Sequence, residues 1–391
     1  MLKCASICTY EIDDPGLALK ELQQQLYDKL DLLEHTVGII MCHADYLESG
    51  VVKHISLHLP FDIAGVTTSS QATNGYAGEL FLTIFVMTSD DVWFKTGVTN
   101  ECKDDISSPV RAAYDLIDAQ TSESPKLALI FLPLLASHAG DAYIDAWEQV
   151  LPKVPLFGTV ATDDTLTFDD NATIYNGEHY SAAMPFVLCY GNINPRFIMG
   201  VLPQDNMLPY KGEVTKSDGP YVSEINNSNA YEYFESIGFA KEGALAENPL
   251  FVPFMVDQKQ RNDYDGIPVM RRHVAFTKEG TGVFRGNIDE GSFLTMLMSD
   301  SEDVLSVTKE KIAEVNEMKE VNGALLFPCT ARRLMTMRIS PLVELETVRD
   351  SIDPSIPFMI GYSGGEICPT SVIDSTPVNR FHNYSLAILV V

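Results

Sequence analysis

Ile360-Gly361-Tyr362-Ser363-Gly364-Gly365-Glu366-Ile367 is the stretch on which the reading of this chain turns. Glycines beside a lone carboxylate suit a tight turn whose backbone closely approaches something else. Upstream, the apolar run Ala324-Leu325-Leu326-Phe327 reads as a buried strand and ends at Pro328-Cys329-Thr330-Ala331-Arg332. A helix over Pro341 to Ile352 and then Pro357 lead into the turn. Phe381-His382-Asn383 follows, before a last apolar strand, Tyr384 to Val391.

The same order of strand, helix, proline, strand and small-residue turn occurs twice more. Val37 to Met41 leads through Pro60 to Ile63-Ala64-Gly65-Val66-Thr67-Thr68. Leu127 to Leu132, a helix from His138 to Val150, and Pro155 lead to Leu156-Phe157-Gly158-Thr159-Val160-Ala161-Thr162. Glu79 to Met87 is expected to pair with Val92 to Val98. Ala183 to Tyr190 is expected to form a hairpin with Arg196 to Leu202 through Gly191-Asn192. Before the first copy, Asp14 and Pro15 open a helix with Leu19, Leu22, Leu26, Leu30 and Leu33 on one face. Between the second and third copies, strands are expected at Phe251 to Val256, Val269 to Phe276 and Ser292 to Met298. A helix is expected over Asp300 to Val321.

At 391 residues the chain exceeds what one hydrophobic core usually sustains. A boundary near Pro203 to Tyr210 divides it into residues 1–205 and 206–391. The expected class is α/β: two domains of mixed β-sheets backed by helices, built from repeated strand-helix-strand-turn-strand units, with functional groups at strand ends.

Charge narrows the partners. There are 54 acidic against 27 basic residues, a formal net charge of −27. Such a surface repels nucleic acid and anionic membrane, so neither is expected as a partner. No apolar run is long enough to span a bilayer. Seven cysteines without a Cys-x-x-Cys pair read as reduced thiols. A cytoplasmic location is the expectation.

Glu366 and Arg332 sit at the ends of two strands of one unit. Arg332 suits a ligand carboxylate and Glu366 an ammonium group, or else the two residues pair with each other. His43, Asp45 and Tyr46 follow the first strand of the first copy and either line an equivalent pocket or form a surface loop. His138 holds the matching place in the second copy, and His382 precedes the last strand. No zinc-site spacing, phosphate-binding glycine loop or nucleophile elbow occurs. No metal site and no catalytic set are therefore expected.

Together these segments resemble the FIST family, whose members carry N-terminal and C-terminal FIST domains in tandem. Gly323 to Phe327 with Cys329 and Arg332 resembles the family's strand ending in Cys-x-Gly-Arg, with Ala331 in place of the glycine. Gly361 to Ile367 resembles its Gly-Phe-x-x-x-Gly-Glu-Ile turn, and His382-Asn383 its His-Asn before the last strand. In the N-terminal half, Gly65-Val66-Thr67-Thr68 matches the start of the family's first turn. Ser70-Gln71 stands there in place of Gly-Glu, so no acid is present.

The resemblance implies an intracellular sensory protein that binds a small ligand, with amino acids proposed for the family, and signals through a separate protein partner. It implies ligand contacts from Glu366, Arg332, Cys329, Ser363, Tyr362, His382, Asn383, His43, Asp45, Thr67 and Thr68. A haem-based nitric oxide sensor is an alternative within the family, with His43, His138 and His382 as axial candidates. An α/β hydrolase with a strand-end site is the rival from another class.

Overall fold

The strands His35–Cys42, Leu127–Leu132 and Ala324–Pro328 carry almost no polar residues because both of their faces are covered. In the computed structural model, which describes residues 1–119, 121, 123–135, 138–165, 168–240, 252–259 and 265–391, alternate side chains go to opposite layers. Val37, Ile39 and Met41, with Leu127, Leu129 and Phe131 and with Leu325 and Phe327, meet in one shared core. Phe157 of the second copy stacks on Phe327 of the third, with ring centroids 5.0 Å apart. The intervening residues face separate helical layers: Ile40 and Cys42 in the first, Ala128, Ile130 and Leu132 in the second, Ala324 and Leu326 in the third. Three sheets thus share one apolar centre, each with its own helices outside.

Every sheet is built around a parallel pair: His35–Cys42 with Asp62–Thr67, Leu127–Leu132 with Leu156–Val160, and Ala324–Pro328 with Phe358–Gly361. Gly65 and Gly158 allow two of these pairs to close. A Cβ on Gly65 would stand 1.8 Å from the Ile40 carbonyl oxygen, and one on Gly158 would stand 2.4 Å from that of Ile130.

Two antiparallel strands extend each pair on its other side. The first sheet adds Leu82–Ser89 and Lys3–Thr9, and the second adds Pro185–Gly191 and Val92–Val98. The third adds Leu386–Val390 and Arg196–Gly200. Two expected pairings are therefore corrected. Leu82–Ser89 does not pair with Val92–Val98, and Pro185–Gly191 does not pair with Arg196–Gly200. In each case the chain leaves one sheet and starts the next, so the repeat begins one strand and one helix earlier than the sequence suggests. Lys3–Thr9 and the helix Pro15–Lys29 open the first copy. Asp14 caps that helix by accepting from Gly16 N at 2.9 Å and Leu17 N at 3.0 Å. Ala18, Leu19, Leu22 and Leu26 form its buried face, and Leu33 lies beyond its end.

The copies also exchange hairpins. Gln71–Thr73 and Tyr76–Gly78, which follow the first parallel pair, attach to Phe358–Gly361 of the third sheet. Thr173–Tyr175 and Glu178–Tyr180 attach to Asp62–Thr67 of the first sheet. Glu366–Ile373 and Thr376–His382 attach to Leu156–Val160 of the second. Each unit lends one hairpin and borrows another, in a closed cycle. Two of these sheets hence take strands from both sides of residue 205.

A fourth, seven-stranded sheet (residues 207–297) is inserted in the third copy, between Arg196–Gly200 and the helix Ser301–Glu317. It includes Pro253–Asp257, Val269–Phe276 and Phe293–Leu297; Phe251, expected to start the first of these, lies outside the described residues. The helix ends at Glu317, short of Val321, and Asp300 and Asp303 form its capping box. Among the described residues no helix is long and apolar enough to cross a membrane.

Candidate functional site where the three turns meet

At the ends of the three parallel pairs, the turns bind one another around the approximate threefold axis. Thr162 N donates to Thr67 O at 3.1 Å and Gly364 N to Val160 O at 2.9 Å. Thr68 Oγ1 donates to Tyr362 O at 2.8 Å and closes the ring. The exchanged hairpins anchor at the same level: Thr67 N to Ala172 O, Val160 N to Gly365 O, and Tyr362 N to Ser70 O. Thr67 also accepts from Ala172 N through its own hydroxyl, at 2.9 Å. Both threonines are buried and serve the ring.

Strand register identifies the equivalent positions. Glu366 pairs with Thr159, Gln71 with Gly361 and Thr173 with Val66, so Glu366, Gln71 and Thr173 correspond. The glycines of the third turn are explained by packing. A Cβ on Gly365 would come within 2.3 Å of the Phe381 ring, and one on Gly364 within 3.1 Å of Ala161 O.

Glu366 is fully buried. Its Oε2 accepts from Ser385 Oγ at 2.7 Å, and Oε1 has no partner among the described residues. Burial pushes its carboxyl pKa well above the usual range, only partly offset by Ser385 and Cys329, which favours the neutral form. His382 lies directly opposite Glu366 across the antiparallel pair. Both of its ring nitrogens lack partners among the described residues, and burial pulls its pKa down to about 3, with Arg271 adding to the effect. Asn383 Oδ1 accepts from Arg272 N at 3.1 Å and ties the inserted sheet to the third unit, while its Nδ2 has no partner among the described residues.

Arg332 lies elsewhere. It is fully buried, with Nη2 2.7 Å from Glu344 Oε1 and Nε 2.9 Å from the same oxygen. Nη2 also donates to Thr308 Oγ1 at 2.9 Å and Val304 O at 3.2 Å. The pairing alternative thus describes this arginine, but with Glu344 and not Glu366. Tyr362 packs into the helical layer of the third sheet.

A narrow cavity adjoins the ring. Thr162, Cys329, Thr330, Ser363 and Gly364 form its floor, and Phe168, Arg272 and Arg285 close it from above. Its unfilled space is about 310 Å³, yet only about 10 Å³ can hold the centre of a water molecule. Cys329 is buried, which raises its thiol pKa and keeps it protonated. Ser363 Oγ donates to Gly365 O at 2.6 Å and is held by its own turn. Of the expected ligand contacts, the structure brings Cys329 and Ser363 to the cavity, with Glu366 adjacent to both.

His43 sits at the outer rim of the first unit, between Asp164 (3.2 Å from Nε2) and Asp45 (3.5 Å from Nδ1). Nδ1 accepts from Asp45 N, so Nε2 carries the proton toward Asp164. Tyr46 is buried and donates to Thr9 O at 3.2 Å. His138 Nε2 bonds the carbonyls of Cys102 and Lys103, each at 3.0 Å. The residues that sequence reasoning missed are Arg272 and Arg285. Their signal was Arg285 directly before the Gly286-Asn287-Ile288-Asp289-Glu290-Gly291 turn, and the Arg271-Arg272 pair in the strand before it, in an otherwise acidic chain.

The tandem organisation is matched by two family models: the FIST N domain over residues 36–228 and the FIST C domain over residues 229–369. The chain belongs to the FIST family. FIST domains are associated with sensory signal transduction and small-ligand binding. No curated protein matches this FIST chain. Among solved structures it is similar to cyanuric acid hydrolase from A. caulinodans, at 12% identity and a TM-score of 0.32, over 100% of this chain and 98% of that one. A likeness of that size carries no argument about this FIST protein.

Proposed function

We propose that this FIST protein is a small-ligand sensor that binds a small polar molecule, with amino acids among the candidates, in the cavity at the meeting of the three turns. A separate protein partner receives its output. The observation that carries this reading is a set of buried polar atoms, without a partner among the described residues, just behind the lining of that cavity: Glu366 Oε1, next to Cys329 and Ser363, and Asn383 Nδ2, whose residue bonds Arg272, with both nitrogens of the neighbouring His382. Buried polar atoms are normally satisfied, and such a cluster is where a ligand's own polar groups gain most.

The cavity admits no more than a water when closed, so a ligand must part its walls. The floor belongs to the threefold core and part of the roof to the inserted sheet. Ligand entry therefore shifts the inserted sheet against the core, which is the change a partner would read. Haem does not fit this arrangement: the space is far too small, and neither His43, His138 nor His382 lines it. Binding is also favoured over turnover. Burial keeps the Cys329 thiol protonated, Ser363 is engaged by backbone, and the carboxyl beside them, Glu366, is itself pushed toward its neutral form by burial.

A thermal-shift screen of the full chain against amino acids, small acids and neutral polar compounds tests this reading. Saturable stabilisation without chemical change of the compound is expected. Turnover would move the protein to the enzyme class, and a flat response to every compound would remove the sensor reading.

A further inference from the structure

We infer that the ligand of this cavity is an oxyanion without a compensating ammonium group, held by Arg272 and Arg285. The inference rests on the sensor reading and specifies its ligand class. Arg272 lies on the strand Val269–Phe276 of the inserted sheet and Arg285 directly follows the adjoining strand Gly282–Phe284, the two joined by the hydrogen bond from Arg285 N to Arg272 O at 3.0 Å. Both side chains enter the same cavity wall, and no acidic residue lines that cavity.

The other poorly exposed arginines set the contrast. Arg271 holds Asp141 at 2.9 Å, Arg332 holds Glu344 at 2.7 Å, and Arg333 holds Glu79. Among the described residues no carboxylate stands against Arg272 or Arg285, in a chain with twice as many acidic as basic residues. The two like charges also act on each other: burial and then the Arg272 charge pull the Arg285 pKa below its ordinary value. Two cations kept together and partly desolvated leave a positive site that an anion would neutralise.

The charge balance on the opposite wall excludes an ammonium partner. No Asp or Glu is among the residues that line the cavity, and Arg332 is already matched by Glu344. A zwitterion would therefore find two guanidiniums for its carboxylate and no anion for its ammonium. A dicarboxylate or a phosphate fits better, because each guanidinium fork can take two oxygens of one group. Thr330 and Gly364 line the same space.

Calorimetric titration of the full chain at matched ionic strength, with succinate, inorganic phosphate, glycine and succinamide, tests the assignment. Succinate or phosphate is expected to bind, and whichever does so distinguishes a carboxylate ligand from a phosphate one. Arg285→Gln and Arg272→Gln should each weaken that binding at least about tenfold, and Arg285→Lys should recover part of it. The ligand-free Arg285→Gln protein should melt no lower than wild type, because it loses a repulsion and not an ion pair. Unfolding of that variant would overturn the assignment, since it would show a structural role. Binding of glycine with equal affinity in wild type and both Gln variants would overturn it and leave the sensor reading standing. If none of the four probes binds, the oxyanion assignment falls, and the broader screen alone decides whether the protein is a sensor.

Discussion

Glu366 and Gln71 occupy equivalent places in two copies of the same unit, and their surroundings differ in kind. Gln71 Nε2 donates to Phe81 O, and its Oε1 accepts from Thr83 Oγ1 at 2.9 Å. Thr173, the third equivalent, donates to Ala183 O at 2.8 Å. Both are sealed inside the protein with their polar atoms matched. Glu366 keeps one oxygen unmatched, beside a histidine and an asparagine that are also incompletely matched, and beneath the inserted sheet. An approximate threefold scaffold therefore concentrates its unsatisfied chemistry at one of three equivalent positions. Two copies have matched that position to neighbouring strands and loops, and the third has left it open.

The largest effect should come from the ion pair that supports the open position. Arg332→Ala leaves Glu344 buried and alone, and should lower unfolding free energy by about 3–5 kcal/mol in urea denaturation. Retention of wild-type stability would show that the pair does not brace the third unit.

Gln71→Glu attacks the comparison directly by installing the third unit's acid in the first. Ionised, the new carboxyl cannot donate to Phe81 O and repels it, and keeping it protonated at neutral pH costs free energy, so a loss of about 3 kcal/mol is expected at pH 7.5 in the same measurement. A variant as stable as wild type would mean that the sealed and open environments are equivalent after all.

The smallest effect belongs to Glu366→Gln, and its sign depends on pH. The folded pKa of Glu366 is raised above its ordinary value of 4.5, so its contribution to stability is fully present below that pH and declines as pH rises toward the folded pKa. The glutamine variant lacks this decline. It should match wild type within about 1 kcal/mol near pH 4.5 and exceed it at pH 7.5. A lower stability than wild type at pH 7.5 would show that the carboxylate is ionised in the fold.

The repeated unit was legible because its parallel strands are buried on both faces, and runs such as Leu127–Leu132 show that directly. The exchange of hairpins was not. Gln71–Thr73 and Thr173–Tyr175 are three residues long, too short for their pattern to specify which sheet edge they join. For the same reason the acids that follow the second turn, Asp163-Asp164, are not the counterpart of Glu366, which register places at Thr173. The Asp163 carboxylate is occupied in capping its own loop, through Thr165 N at 2.7 Å and Asp170 N at 2.9 Å.

At the site, Cys329, Ser363 and Glu366 could be found because the glycine turn marks a close backbone approach. Arg332 misled because its partner, Glu344, lies on the following helix, where spacing alone gives no hint of contact. Arg272 and Arg285 escaped notice because arginines in or just beyond a half-exposed antiparallel strand look like an ordinary solvent face. Only the tertiary position of the inserted sheet turns that face toward the core.

The cyclic loan of hairpins has a consequence for how this protein can be cut or lengthened. A fragment ending near residue 205 would keep Leu156–Val160 without the hairpin Glu366–Ile373 and Thr376–His382 that covers its edge. The same fragment would carry Gln71–Thr73 and Tyr76–Gly78 with no sheet to receive them. Both are unpaired backbone edges, the usual starting points of aggregation. Adding or deleting a whole copy breaks the cycle in the same way. The copy number is thus locked by backbone hydrogen bonding, and variation can enter only as insertions between strands, as residues 207–297 already do.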